Sequence, residues 1–227
     1  HSGQQREEMS ANSDHLDVFL SEQPASSHKS HRKLAKIVRE AYPIGVPALI
    51  MKSSTDRLGE SAGYSFHLGT PDDFLRRLAS WLITMAGDKQ DTLLRLVGAL
   101  WKRHGREDVA LSALLLANLD MGKMGVDPWG YLASLLNKKE PVEALLLSVE
   151  ELFRAGCDPP SEESIRVWCR GRLVESHLAL LVVFVGSRVG SIESGAHSRE
   201  LSEVEVSDGD SLIGRIKAGL MQNHPES

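Results

Sequence analysis

Apolar residues recur at every third or fourth position along most of this chain, and glycine or proline interrupts the pattern at short intervals. The stripe through Phe74, Leu78 and Leu82 is one example. This spacing places side chains on one face of an α-helix, whereas a half-buried strand alternates at every second position. Residues 173–189 include strand-favouring valines, but seventeen residues without a turn signal predict a buried helix. The chain is therefore expected to be all-α.

Helix-start and helix-stop residues divide this pattern into roughly ten helices. The clearest start is Thr70 to Asp73, which offers a hydroxyl cap, a proline for the first position and two acids facing the positive end of the dipole. Gly87 and Gly105 are typical stops. Helices are predicted over about residues 29–42, 46–57, 70–87, 89–104, 106–119, 128–137, 141–155, 161–170, 173–189 and 211–221.

The predicted organisation has four parts. Residues 1–28 form a flexible acidic arm with at most a short turn of helix at Leu16–Leu20, and residues 29–190 form a helical-repeat domain. An acidic loop over 191–210 and a C-terminal helix and tail over 211–227 follow. Two helix–turn–helix units, beginning at Asp88 and Asp127, are offset by 39 residues, close to a HEAT-type period. Stacking of such units predicts HEAT-like antiparallel helical repeats in a curved α-solenoid, with an irregular helical bundle as the alternative.

The formal net charge of −5 counts at first against a nucleic-acid partner. It is concentrated in two flanks, however: residues 1–28 carry −4 and residues 191–210 carry −5, which leaves +3 for residues 29–190. Basic residues cluster on the helix from Lys29 to Arg39 and around residues 101–106 and 166–172, where tryptophan accompanies them. Such cations bind phosphates, and tryptophan stacks on bases or sugars. Alternatively, the charges solvate exposed faces and the tryptophans belong to the core.

The motifs of several enzyme classes are missing from the sequence. No glycine-rich phosphate-binding loop, serine nucleophile elbow or paired-histidine zinc motif occurs. Cys157 and Cys169 lie twelve residues apart without a second pair, so we interpret them as structural thiols and expect no metal or cofactor. The longest apolar run, residues 178–185, is much shorter than the roughly 20 residues of a membrane span. Two cysteines also favour a reducing, cytoplasmic location.

The pattern over about residues 30–190 resembles the DNA alkylation repair family of HEAT-like glycosylases. The resemblance is carried best by residues 100–111, Leu-Trp-Lys-Arg-His-Gly-Arg-Glu-Asp-Val-Ala-Leu, in which a tryptophan ends one helix and a charged turn opens the next. It implies an all-α solenoid whose basic concave groove holds damaged duplex DNA. It also implies excision of positively charged alkylated bases by hydrolysis of the N-glycosidic bond.

The same resemblance implies candidate site residues. The family has a tryptophan followed directly by a catalytic aspartate at a helix start, whereas here Asp127 precedes Pro128 and Trp129. Asp127 is the catalytic candidate, with a carboxylate that would stabilise the developing sugar cation. Read from the residues alone, it is an N-cap, so whether the chain is a DNA N-glycosylase stays open. The DNA-binding candidates are Trp101, Lys102, Arg103, Arg106, Trp129, Trp168, Arg170 and Arg172.

A function of a different class fits the same helical pattern. HEAT-like solenoids also serve as non-enzymatic scaffolds whose groove receives a protein partner. The acidic flanks suit this role as well as they suit the masking of a basic groove. The partner is therefore expected to be duplex DNA or a protein, and no membrane.

Overall fold

The computed structural model describes residues 2–47, 63–207 and 211–222 of the chain. All regular elements in these ranges are helices, which confirms the all-α prediction, including a helix over Leu173–Arg188. Two 3₁₀ helices, Ala25–Lys29 and Tyr42–Gly45, flank α2. A helix is predicted over residues 46–57, but residues 48–57 lie outside the described part of the chain. The α-helices are α1 (Ser2–Ser21), α2 (His31–Ala41), α3 (Asp72–Ala86), α4 (Asp91–Arg103), α5 (Arg106–Asn118), α6 (Met121–Met124), α7 (Pro128–Leu135), α8 (Val142–Arg154), α9 (Glu162–Arg170), α10 (Leu173–Arg188), α11 (Ser198–Ser202) and α12 (Leu212–Gln222).

The chain divides into two compact units, His1–Asp120 and Met121–Ser227. The division falls inside the stretch over which the sequence predicts a single repeat domain. The two predicted repeat units consequently belong to different compact units. The charge is also unequal: the first unit has fifteen basic and fifteen acidic residues, and the second has eleven basic and sixteen acidic residues.

The first twenty residues contain more helix than the sequence predicts. Instead of a flexible arm with a turn at Leu16–Leu20, residues Ser2–Ser21 form one continuous helix. Leu16 and Leu20 are buried, the helix packs against Tyr42–Gly45, and Asp17 forms an ion pair with Arg77 of α3. Almost all other residues of α1 are exposed. The few contacts at its C-terminal end are tertiary, which is why local sequence pattern does not reveal them.

The core of the first unit is built around α5. Residues Glu107–Ala117 are all buried, because α5 packs against both α3 and α4, and α2 packs against α4. The start of α3 differs from the prediction. Pro71, not Thr70, occupies its N-cap position, and no side chain caps it. The Thr70 hydroxyl instead donates to the carbonyl oxygen of Tyr42 at 3.1 Å, so a tertiary hydrogen bond replaces the predicted cap.

The core of the second unit is built around α10. This helix packs against α8, α9 and α12, and Leu178–Val183 is buried along its whole length, as expected of an apolar helix surrounded by others. The stretch predicted as an acidic loop contains the short α11, anchored by buried Leu201. Among the described helices, none has the length and apolar character needed to cross a membrane.

Candidate nucleic-acid interface

The turn between α4 and α5 lies within residues 100–111, the segment that contributes the predicted site residues of the first unit. His104 ends α4 in the left-handed region with φ of +63°, and Gly105 follows at the start of α5. The Gly105 N–H donates to Asp108 Oδ2 at 3.1 Å, which satisfies one of the otherwise unpaired donors at a helix start. A Cβ at Gly105 would lie 2.1 Å from Cζ of Phe66, so any larger residue here would displace the Phe66 ring.

Asp108 is the acceptor of a buried polar network. Its side chain is 0% exposed and accepts from the Tyr42 hydroxyl at 2.9 Å and from Arg103 Nε and Nη2 at 2.9 and 2.8 Å. Burial raises the pKa of Tyr42, and the negative charge of Asp108 raises it further. Burial alone would lower the pKa of Arg103, but the hydrogen bonds and charge of Asp108 outweigh it and the pKa is raised. The network therefore holds a charged arginine and a neutral tyrosine.

Glu107, the neighbouring carboxylate, anchors the segment that precedes α3. Its Oε1 accepts from the backbone N–H groups of Leu68, Gly69 and Thr70 at 2.8, 2.8 and 3.3 Å. Its Oε2 is buried and has no hydrogen-bond partner in the described part of the chain. Although acidic, both residues of the Glu107–Asp108 pair are fully buried, so neither offers its charge to a surface ligand.

Arg103, which ends α4, contacts the basic helix α2. Arg103 Nη1 donates to the backbone carbonyl of Ala35 in α2 at 2.9 Å. On α2, the spacing of four and three residues puts Arg32, Lys36 and Arg39 on one face. Within the described ranges, none of these three forms an ion pair, and neither does Lys102. We call the following set the basic surface: Arg32, Lys36, Arg39, Lys102, Arg103 and Arg106.

The three tryptophans predicted to contact DNA are core side chains. Trp101, Trp129 and Trp168 are 2%, 1% and 5% exposed. The indole Nε1 of Trp129 donates to the carbonyl of Asp158 at 2.7 Å, and its ring lies 5.2 Å from that of Phe153. In this conformation their ring faces pack against protein atoms. Each tryptophan lies on the apolar face of its helix, and this sequence pattern indicates that the side chain is buried in the core.

Asp127 is exposed and caps α7. Its Oδ1 accepts from the Trp129 N–H at 3.3 Å and its Oδ2 from the Gly130 N–H at 3.1 Å. The predicted N-cap with proline at the first helical position is thus confirmed. Both carboxylate oxygens are hydrogen-bonded, but each keeps a further lone pair for another partner.

The basic residues at the α9–α10 turn belong to the second unit. Arg170 and Arg172 are exposed, and Arg172 pairs with Glu175 at 2.6 Å while also donating to the Leu136 carbonyl at 3.3 Å. Arg166 is surrounded by Glu162, Glu163 and Glu200. These acids offset much of the positive charge, as Asp108 does for Arg103, whereas Arg32, Lys36, Arg39 and Lys102 of the basic surface form no ion pair within the described ranges. No group of three metal-ligating side chains occurs in the described ranges.

The search for relatives gives no family for this chain. No protein-family model matches it, and no curated protein or solved structure shows significant similarity to it.

Proposed function

We propose that this protein binds duplex DNA through the basic surface of its first unit, as a protein of the DNA alkylation repair type. The observation that supports it is the Arg103–Ala35 hydrogen bond, which brings Arg103 against α2, the helix that carries Arg32, Lys36 and Arg39. Lysine and arginine contacts to phosphates supply most of the sequence-independent affinity of such proteins. Because these side chains contact phosphates rather than base edges, binding is expected to depend little on DNA sequence.

The proposal includes a HEAT-like arrangement of helical hairpins within the units. In the first unit, α4 and α5 are joined by a two-residue turn and pack together, and in the second unit α9 and α10 do the same. A hairpin of this kind exposes one apolar face until a neighbouring helix covers it. Here α3 packs against α5 and α8 packs against α10, as expected if a neighbouring helix covers the apolar face of each hairpin.

The first test is the salt dependence of duplex binding. We expect log K for a duplex of about 20 base pairs to fall linearly with log salt concentration, with a slope of about −4.5 to −5.5 for about five or six phosphate contacts. Lys102→Ala should reduce the magnitude of this slope by about 0.9. Lys89→Ala is the matched control, since this exposed lysine precedes α4 at its other end and should leave the slope unchanged. Failure to bind any duplex at low salt would overturn the proposal and favour the scaffold alternative.

The second test concerns excision and separates the two roles of Asp127. The expected activity is release of 7-methylguanine from alkylated duplex DNA. Asp127→Asn keeps a side chain that caps helices as well as aspartate but removes the negative charge, so we expect release to slow by about a hundredfold with unchanged stability. Asp127→Ala should lose release equally and also cost about 1 kcal/mol of stability through the lost cap. Normal release by Asp127→Asn would show that the aspartate acts only as a cap, and absence of release by the unsubstituted protein would limit the function to binding.

A further inference from the structure

We infer that Phe66 is a positioning residue of the basic surface, whose ring holds the Arg39 guanidinium against the α4–α5 turn. The inference rests on the proposed DNA binding. The Arg39 Cζ atom lies 4.5 Å from the centre of the Phe66 ring, within the range of a cation–π interaction. Arg39 is half-buried, whereas Arg32 and Lys36 on the same face of α2 are exposed.

Phe66 is itself held by the α4–α5 turn. A Cβ at Gly105 would overlap the ring, so the ring packs directly on the Gly105 backbone. The carbonyl of Phe66 accepts from the Arg106 N–H at 2.8 Å, and the neighbouring Ser65 N–H donates to the His104 carbonyl at 2.9 Å. The Ser65 hydroxyl adds a bond of 2.6 Å to the Arg103 carbonyl. The ring is therefore fixed on one side by the turn and supports Arg39 from α2.

This arrangement joins the two halves of the basic surface. Arg103 connects the turn to α2 through Ala35, and the Phe66 ring connects the turn to α2 through Arg39. A flexible arginine loses rotamer freedom when it binds a phosphate, and that loss reduces affinity. An arginine already ordered on an aromatic ring loses less. Phe66 thus acts on binding through Arg39 without contacting the DNA.

A double-mutant cycle in duplex affinity tests this coupling. We expect Phe66→Leu to weaken binding about two- to fivefold when Arg39 is present, and to have almost no effect in an Arg39→Ala background. Phe66→Tyr keeps the aromatic ring and should bind like the unsubstituted protein. Thermal unfolding of each variant is measured in parallel to detect any loss of stability. A purely structural role of Phe66 would lower the duplex affinity equally in both backgrounds.

The outcomes separate this inference from the proposed function. No duplex binding by the unsubstituted protein overturns both. Binding with an equal loss for Phe66→Leu in both backgrounds overturns the positioning role but leaves DNA binding intact. If Phe66→Leu fails to fold, Arg39→Lys replaces it: this variant keeps the charge but loses the planar stacking, so about a twofold loss of affinity is expected. Unchanged affinity of Arg39→Lys would overturn the inference.

Discussion

Simultaneous replacement of Arg32, Lys36 and Arg39 by glutamate is expected to weaken duplex binding about a thousandfold near 0.1 M salt. Each cation that contacts a phosphate releases about 0.9 counterion, which corresponds to nearly a tenfold gain in affinity per contact at this salt concentration. Arg32 and Lys36 are exposed on the side of α2 away from the buried Leu34, whereas Arg39 is half-buried and its guanidinium packs on the Phe66 ring. We therefore expect the loss of this cation–π contact to cost about 1 kcal/mol of stability, and the other two substitutions to change it little.

Duplex affinity is measured by fluorescence anisotropy, and helix content by circular dichroism. Two single variants form the matched comparison, Lys36→Glu and Lys89→Glu, because both replace an exposed lysine of the first unit and change the net charge equally. Lys36→Glu should weaken binding by about tenfold and Lys89→Glu by much less. Equal losses would mean that the net charge of the protein, not the basic surface, controls the affinity.

Asp108→Ala is expected to destabilise the first unit by about 3–5 kcal/mol, the cost of removing one partner from a buried ion pair. The substitution leaves Arg103 without its carboxylate and the Tyr42 hydroxyl without its acceptor. Asp108 itself is 0% exposed, but the Arg103 side chain is 30% exposed. Because water can partly solvate the abandoned guanidinium, the lower end of that range is expected.

Urea unfolding followed by fluorescence measures this loss, with the two compact units fitted as separate transitions if they do not coincide. Tyr42→Phe is the comparison variant, since it removes one hydrogen bond and leaves the ion pair, and it should cost only about 1 kcal/mol. A loss below about 1 kcal/mol for Asp108→Ala would contradict a stabilising role for the network.

The secondary structure was largely predictable because the signals are local. The apolar pattern after Arg106 predicts α5, and the length of residues 173–189 without a turn signal predicts α10, each close to its observed ends. The Asp127-Pro128 pair predicts the cap of α7. The contacts of the candidate site could not be predicted from local signals. Arg103 and Asp108 are close in sequence, but Tyr42 reaches Asp108 across 66 residues, and no local pattern indicates that pairing.

Local signals are enough to predict that the chain is helical and where most of the described helices begin and end, because backbone hydrogen bonds and apolar periodicity act over a few residues. Which polar and aromatic residues are available to a ligand depends instead on how the helices pack. Trp101 and Asp108 are buried, whereas Lys36 and Lys102 are exposed. Burial depends on contacts between helices that are distant in sequence, such as α2 with α4, and these contacts decide which charges face a partner.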